Sequence, residues 1–219
     1  MRTKSQQSSS FLRSIILIAL SLIISQAVLS QSVLSGLGVE IGGGYNQLFW
    51  QFLVPLPGNV TRYDRTQFTF TPEMRLRYDI QMSENIQCMP YLGYNQIGGK
   101  GSPTKIGNKS TIWIDALEIG LLTTYTISDF SFGLGYKANR HLKVTDIVDI
   151  PPTPTSNIDV TGSFPAWSSD IGLRMSYRIS HYSIAVESWF GISDLGGDGD
   201  LSLMSIHQNH FRLLLGYTL

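Results

Sequence analysis

The sequence contains a single cysteine, Cys88, among 219 residues. One cysteine excludes an internal disulfide framework and a metal site made of cysteines alone. Charge is also scarce: 15% of the residues are charged, with 16 basic residues against 16 acidic ones. Because a nucleic-acid surface needs a basic excess, this balance argues against a nucleic-acid binder. The chain carries neither a phosphate-binding Gly-Lys-Ser element nor a haem motif, so we expect no cofactor.

Long hydrophobic runs are also missing, except for one run near the N-terminus. Arg2 and Arg13 precede the apolar run 15–24, and small residues follow at Ala27 and Ser30. This order is typical of a cleaved secretory signal peptide. The alternative, a retained helical anchor, needs roughly twenty apolar residues, about twice the length of this run. We therefore predict that residues 1–30 are a signal peptide that exports the chain through the inner membrane, with cleavage after Ser30 or alternatively after Ala27.

The rest of the chain, predicted as one domain over residues 31–219, alternates between apolar and polar residues. From 67 to 81, residues such as Phe70 and Leu76 occupy one parity, and polar residues such as Arg75 occupy the other. Alternation with a period of two predicts a strand with one apolar face and one polar face. Seven further stretches repeat the pattern, starting near residues 37, 86, 113, 130, 167, 182 and 211. Eight strands form the smallest barrels of the outer-membrane class.

The connections between these strands alternate in length. Tight turns are predicted near 82–85, 126–129 and 180–181. Long polar loops are predicted near 47–66, 96–111, 139–166 and 194–208. Short turns on one side and long loops on the other are typical of outer-membrane barrels, whose chain ends lie on the short-turn, periplasmic side.

Aromatic residues on the apolar parity are sorted by height along the predicted strands. Tyr125, Tyr177 and Tyr217 lie beside the short turns, whereas Trp113 and Trp167 lie toward the long loops. Two aromatic belts around an aliphatic band are expected where a barrel crosses both membrane interfaces. A soluble barrel such as a lipocalin would alternate as well, but its core-filling face has no reason to sort aromatic residues in this way. The sequence therefore predicts an all-β, eight-stranded antiparallel up-and-down transmembrane β-barrel in the outer membrane of a Gram-negative envelope.

Three residues conflict with this pattern. Pro72 and Pro90 lie inside predicted strands, where each removes a ladder hydrogen bond, so we expect a bulge or a break near them. Asp115 carries a charge on the apolar parity. Either it lies near the long-loop end, where a charge costs little, or a bulge turns it to the other face.

The charged residues of the strands lie almost entirely on the polar parity, which we expect to face the lumen. An eight-stranded barrel is just wide enough to be filled by side chains, and each buried ion needs a partner. Six acids and six bases are therefore predicted to form a neutral, paired network. The alternative is a polar, gated path for small solutes. The predicted network consists of Glu40, Glu73, Arg75, Arg77, Asp79, Glu118, Lys137, Asp170, Arg174, Arg178, Glu187 and Arg212.

Residues that suggest catalysis or metal binding are few. His207 and His210 are three residues apart, a spacing that points them to opposite faces of a strand, so we expect no metal site there. Ser205, one of these histidines and either Asp198 or Asp200 would supply the nucleophile, base and acid of a surface lipid hydrolase. Serine and aspartate are common in loops, and we predict no catalytic residue.

Four short stretches of the chain share a distinctive pattern, and they are 117–122, 133–136, 191–195 and 215–217. They resemble the outer-membrane β-barrel domain common in Bacteroidetes and their relatives, a family that includes a PorT-like branch linked to protein secretion. The resemblance spans about residues 35–219 and implies the barrel fold and the outer-membrane location, but no catalytic residue. In that family the pair equivalent to Glu118 and Ile119 is usually followed by proline, where this chain has Gly120.

Three functions remain open from the sequence. The first is a non-enzymatic barrel, a monomer in outer-membrane lipid, with a structural or interaction role through its long external loops. The loop 139–166, stiffened by prolines at 151, 152 and 154, is then the candidate contact for a protein partner. The second function is a narrow porin-like channel for small solutes. The third is a surface lipid-modifying enzyme.

Overall fold

The computed structural model describes residues 36–52, 63–100, 109–149, 156–196 and 204–219, and the predicted signal peptide lies outside these ranges. The strands are β1 (Leu37–Phe52), β2 (Tyr63–Arg65), β3 (Thr69–Tyr78), β4 (Ile80–Gln81), β5 (Ile86–Lys100), β6 (Lys109–Ile127), β7 (Phe130–Asp149), β8 (Ser156–Asp159), β9 (Trp167–Ile179), β10 (Tyr182–Gly191) and β11 (Met204–Thr218). A 3-10 turn covers Thr161–Ser163. In the part of the chain that is described, no helix is long and hydrophobic enough to cross a membrane.

Eight of these strands form a closed antiparallel barrel. They follow one another around the ring in chain order, as β1, β3, β5, β6, β7, β9, β10 and β11. The ring closes because β11 pairs with β1 from Gly38↔Thr218 to Phe52↔Met204. The short strand β4 continues β3 along β5, whereas β2 and β8 pair with the long-loop ends of β1 and β7. The predicted eight-stranded, up-and-down antiparallel barrel is confirmed.

The turns at one end of the barrel are tight, as the sequence predicts. β6 and β7 are joined by residues 128–129, and β9 and β10 by residues 180–181. Ser128 and Ser180, the first residues of these turns, have positive φ angles of 57° and 56°. Two-residue hairpin loops use turn types that need a positive φ at this position, usually supplied by glycine. The twist of the flanking strands thus imposes this conformation on a serine in both turns.

The strands extend further toward the long loops than the sequence predicts. The predicted loop 139–166 is largely a β-hairpin, because β7 continues to Asp149 and β8 pairs with it from Thr145↔Asp159 to Val148↔Ser156. The predicted loop 47–66 is shortened in the same way by the pairing of β1 with β2. These strands were predicted to end where the alternation of apolar and polar residues stops. Their backbone pairing continues beyond that point toward the long loops.

The two strand prolines interrupt a single seam of the barrel. β3 pairs with β5 from Glu73↔Asn95 to Arg77↔Tyr91, so this ladder stops beside both Pro72 and Pro90. On their other sides, Pro72 and Pro90 lie inside continuous ladders with β1 and β6. A proline lacks only one backbone donor, so the expected break is confined to the β3–β5 seam.

A bulge lies beside Asp115, on the neighbouring strand. The register between β6 and β7 shifts between Asp115 and Ala116, where β7 has one extra residue, Leu142. Asp115 itself stays on the outer side of the wall. Its carboxylate accepts hydrogen bonds from the Tyr94 hydroxyl at 2.9 Å and from the Gln96 side-chain amide at 3.0 Å. The bulge therefore leaves the charge outside, and neighbouring polar groups satisfy it.

The outer wall of the barrel is apolar around its middle. Large hydrophobic side chains alternate with buried ones on each of the eight strands, and roughly half of each outward side chain is exposed, as for Ile41, Leu76, Ile119, Leu173 and Leu215. Such a continuous exposed apolar surface is far larger than soluble monomers carry. The polar parity therefore lies inside.

Candidate functional site

The lumen brings most of the predicted charged residues together. Ten of the twelve are buried, namely Glu40, Glu73, Arg75, Arg77, Glu118, Lys137, Asp170, Arg174, Glu187 and Arg212, and we call this set the charge cluster. The other two, Asp79 and Arg178, lie at the short-turn rim, and the Arg178 side chain is 43% exposed.

Four members of the charge cluster form a closed set of ion pairs across the barrel. Arg75 of β3 donates through Nη1 and Nη2 to the Glu187 carboxylate of β10, at 3.0 and 2.5 Å. Its Nε also donates to Glu40 on β1 at 2.6 Å. Arg174 of β9 donates to Glu40 and to Glu187, each at 2.6 Å. Because β3 is not adjacent to β9 or β10, these contacts cross the lumen.

A second group of pairs lies deeper toward the long loops. Glu118 of β6 accepts two hydrogen bonds from the Arg212 guanidinium of β11, at 2.9 and 2.6 Å. Lys137 Nζ lies 3.2 Å from Glu118 and 3.3 Å from Asp170. Arg212 Nε lies 2.9 Å from the Glu73 carboxylate. Since β6 and β11 stand on opposite sides of the ring, this group also spans the lumen.

Two aromatic side chains share the lumen with the charges. Trp189 is fully buried and donates its indole N–H to Glu187 at 2.8 Å. The Lys137 ammonium lies 5.1 Å from the centre of the Trp189 ring, within cation–π range. The Arg75 guanidinium stacks 4.5 Å above the Tyr91 ring. Trp189 was not among the predicted lumen residues, although it shares the polar parity of Glu187.

Glycines make the room that Trp189 occupies. A Cβ added to Gly135 would lie 2.7 Å from the Trp189 ring, and the same ring covers Gly172. Both glycines lie on the inner parity of neighbouring strands. A small inner residue beside a large one on a nearby strand is a signal that can be recognised only once the register is known.

The two neighbouring histidines of β11 point to opposite sides of the wall. His207 is exposed, whereas His210 is buried in the lumen and contacts the Glu73 carboxylate. His210 therefore cannot join Ser205 in a surface site. Among the described residues, no three histidine, cysteine, aspartate or glutamate side chains are arranged to hold a metal ion.

Above the charge cluster the lumen is filled by apolar side chains, which we call the apolar cap. Strand residues of the cap share the inner parity of the charges: Leu48 follows Glu40 along β1, and Ile114 precedes Glu118 along β6. All eight members are buried, and each fully buried aliphatic side chain contributes roughly 1.5–3 kcal/mol. The cap was not predicted from the sequence. Its members are Leu48, Ile97, Ile114, Ala116, Val144, Phe164, Leu195 and Ile206.

One polar pair lies on the outside near the long loops. The Ser205 hydroxyl lies 3.1 Å from His207 Nε2. The Asp194 carboxylate accepts the backbone N–H groups of Ile206 at 2.7 Å and Gly196 at 2.8 Å. Burial alone would raise the pKa of Asp194, but these hydrogen bonds hold it below its ordinary value. The two candidate acids of the predicted hydrolase site, at positions 198 and 200, lie outside the described residues.

The chain is similar in fold to solved bacterial barrels. It is 9% identical to Neisserial surface protein A over 84% of this chain and 98% of that chain, with a TM-score of 0.48. It is 12% identical to Ail, the attachment invasion locus protein of Yersinia pestis, over 84% of this chain and 99% of that chain, with a TM-score of 0.46. It is 11% identical to the outer membrane protease OmpT of Escherichia coli over 87% of this chain and 99% of that chain, with a TM-score of 0.45. At these identities the likeness concerns the fold alone.

No protein-family model matches the chain, and no curated protein sequence matches it. The resemblance to the Bacteroidetes barrel domain therefore stays a prediction.

Proposed function

We propose that the mature protein is an integral outer-membrane barrel with a filled, non-conducting lumen, and that it acts through its long-loop side as a structural or interaction protein. The observation that carries this proposal is the inverted polarity of the wall. Aliphatic side chains such as Leu173 face outward, while Arg174 next to it is buried among carboxylates. In water this arrangement would expose an apolar belt, whereas in lipid both faces are satisfied.

The filled lumen supports the non-conducting part of the proposal. Ion pairs span the barrel in two groups, and the apolar cap lies above them toward the long loops. A passing solute would have to separate buried ion pairs and then cross a packed aliphatic layer. Separating one partner from a buried pair costs about 3–5 kcal/mol.

The orientation follows from the predicted signal peptide and from the turns. An exported barrel places its short turns and chain ends in the periplasm and its long connections outside. The hairpin formed by β7 and β8 then projects outward and is the proposed contact for a protein partner. The resemblance to the PorT-like family agrees with this placement.

Cysteine labelling in intact cells tests location and orientation together. With Cys88 replaced by serine, a cysteine at Gly162 stands on the long-loop side in open space, and a cysteine at Asp129 stands in a short turn. A membrane-impermeant maleimide is expected to label Gly162→Cys in intact cells. It is expected to label Asp129→Cys only after the outer membrane is permeabilised. Equal labelling of both, or recovery of the protein as a soluble periplasmic monomer, would overturn the proposal.

Planar-bilayer recording tests the filled lumen against the porin-like alternative. The purified barrel is expected to show no stable open state. A reproducible single-channel conductance would favour a solute path instead.

A second candidate function, a surface lipid hydrolase, rests on the Ser205–His207 contact at 3.1 Å. The Ser205 oxygen would attack an ester carbonyl, and His207 Nε2 would accept its proton and return it to the departing alcohol oxygen. Water would then release the acyl group from the serine as a carboxylic acid. Loss of esterase activity in Ser205→Ala, with activity retained in Ser163→Ala on the same side of the barrel, would support this function. Absence of activity in the native protein would exclude it.

A further inference from the structure

A small cavity lies at the short-turn end of the lumen, below the charge cluster. Its volume is about 10 Å³, which is room for about one water-sized species. Three arginines line it, Arg77, Arg174 and Arg178, together with hydroxyl residues that include Thr124 and Ser183. Arg178 connects the cavity to the solvent at the rim, because its side chain is partly exposed.

Four of these lining residues have a buried polar atom without a hydrogen-bond partner. The atoms are Arg77 Nε, Arg174 Nε, Thr124 Oγ1 and Ser183 Oγ. Arg77 Nε lies 3.1 Å from a Glu40 oxygen and forms an ion pair with it, but no hydrogen bond. Buried donors in proteins are almost always satisfied. Four unsatisfied groups around one cavity therefore indicate a bound species that accepts hydrogen bonds.

The lining also selects the charge of that species. None of the described residues that line the cavity is acidic. The nearby carboxylates are already engaged: Asp79 contacts Arg77 and Arg178, and Glu40 and Glu187 hold the outer nitrogens of Arg174. What remains without a hydrogen-bond partner is one N–H group on each of two guanidinium groups, and two hydroxyls, which can donate as well as accept. Because all four groups can donate and two of them belong to guanidinium groups, the site suits an anion.

We propose that this cavity binds one small monovalent anion of chloride size. Arg77 and Arg174 each donate an Nε–H group to it, and Thr124 and Ser183 each donate a hydroxyl. The volume excludes sulfate, phosphate and organic carboxylates. The anion enters from the periplasmic side past Arg178 and ties β3, β6, β9 and β10 together at the end of the lumen where the apolar cap is absent.

Anion-dependent stability of the purified full-length barrel in detergent tests this site. Protein prepared in sodium gluconate is titrated with chloride, bromide or sulfate at constant ionic strength, and the thermal midpoint is followed. Chloride and bromide are expected to raise the midpoint saturably, whereas sulfate is not. In crystals grown with bromide, an anomalous peak is expected between Arg77 and Arg174.

Matched variants connect the response to the cavity. Thr124→Val removes one donor at nearly constant shape. It is expected to raise the chloride concentration that gives half of the midpoint shift by about tenfold, because a hydrogen bond to a charged group is lost. Ser183→Ala is expected to act in the same direction and serves if the valine variant fails to fold. Thr123→Val, one residue away on the outer wall, is expected to respond as the native protein does. An equal response to all three salts, an unchanged response in both cavity variants, or water alone in the cavity of the bromide crystals would overturn the proposal.

Discussion

The inside of this barrel is filled in two different ways at two heights. In the middle, Glu118 and Arg212 belong to a network of ion pairs, and the wall outside them is aliphatic. Toward the long loops, Ile114 and Ile206 pack in the apolar cap, and the wall at that height carries polar residues such as Lys143. The same strands therefore change the polarity of both faces along their length. The level of this change is where we place the outer surface of the membrane.

The largest expected effect comes from breaking the charge cluster. Glu118→Leu leaves Arg212 and Lys137 buried without their shared partner, which is expected to lower the free energy of unfolding by about 4 kcal/mol. Urea unfolding of the refolded barrel in lipid vesicles measures this change. The outer-wall control Leu117→Ile is expected to change it by less than about 0.5 kcal/mol. An unchanged midpoint in Glu118→Leu would show that the pairs do not stabilise the lumen.

The same substitution at two heights of the outer wall locates the membrane boundary. Leu173→Arg puts a charge in the aliphatic band and is expected to cost about 3 kcal/mol in vesicles. Leu142→Arg, at the bulge beside exposed Lys143, is expected to cost less than about 1 kcal/mol. Equal costs at both positions would contradict a boundary between them.

The apolar cap is expected to respond as a packed soluble core does. Ile114→Val removes one buried methylene and is expected to cost about 1 kcal/mol. Ile119→Val, on the outer wall of the same strand, faces lipid and is expected to cost less. Comparison of the two unfolding free energies in vesicles checks whether the cap contributes packing energy. If both variants lose the same unfolding free energy, a side chain in the cap is packed no more favourably than one that faces lipid.

The smallest expected effect is a pH dependence at the edge of the cap. The pKa of Asp194 is lowered on folding, so its contribution is present above the ordinary value of 3.8 and lost as the pH falls through the lower folded value. Asp194→Asn is expected to flatten this acid limb and to cost less than about 1 kcal/mol at neutral pH. Thermal midpoints between pH 2 and pH 6, values that bracket the ordinary carboxyl pKa, measure it. If the loss of stability at acid pH is unchanged in the variant, that loss belongs to other carboxylates.

Period-two alternation predicted the strands and turns well, because it reports directly which side chains share a face. It could not predict where a face changes its surroundings. Leu48 lies in a stretch predicted as a loop, and Ile114 lies on the inner parity of a predicted strand. Their role depends on Phe164 and Leu195, which come from distant connections. The position of Trp189 opposite Gly172 likewise depends on cross-strand register, which no single strand contains.

The wall of this barrel is not equally strong around its circumference. β3 and β5 share a short ladder between two prolines, from Glu73↔Asn95 to Arg77↔Tyr91, whereas β1 and β11 are joined along their full length. The first and last strands of the barrel are therefore joined by the more extensive ladder. We expect local opening to begin between β3 and β5 rather than between the first and last strands. Backbone amide exchange and the first step of mechanical unfolding should therefore start at that seam.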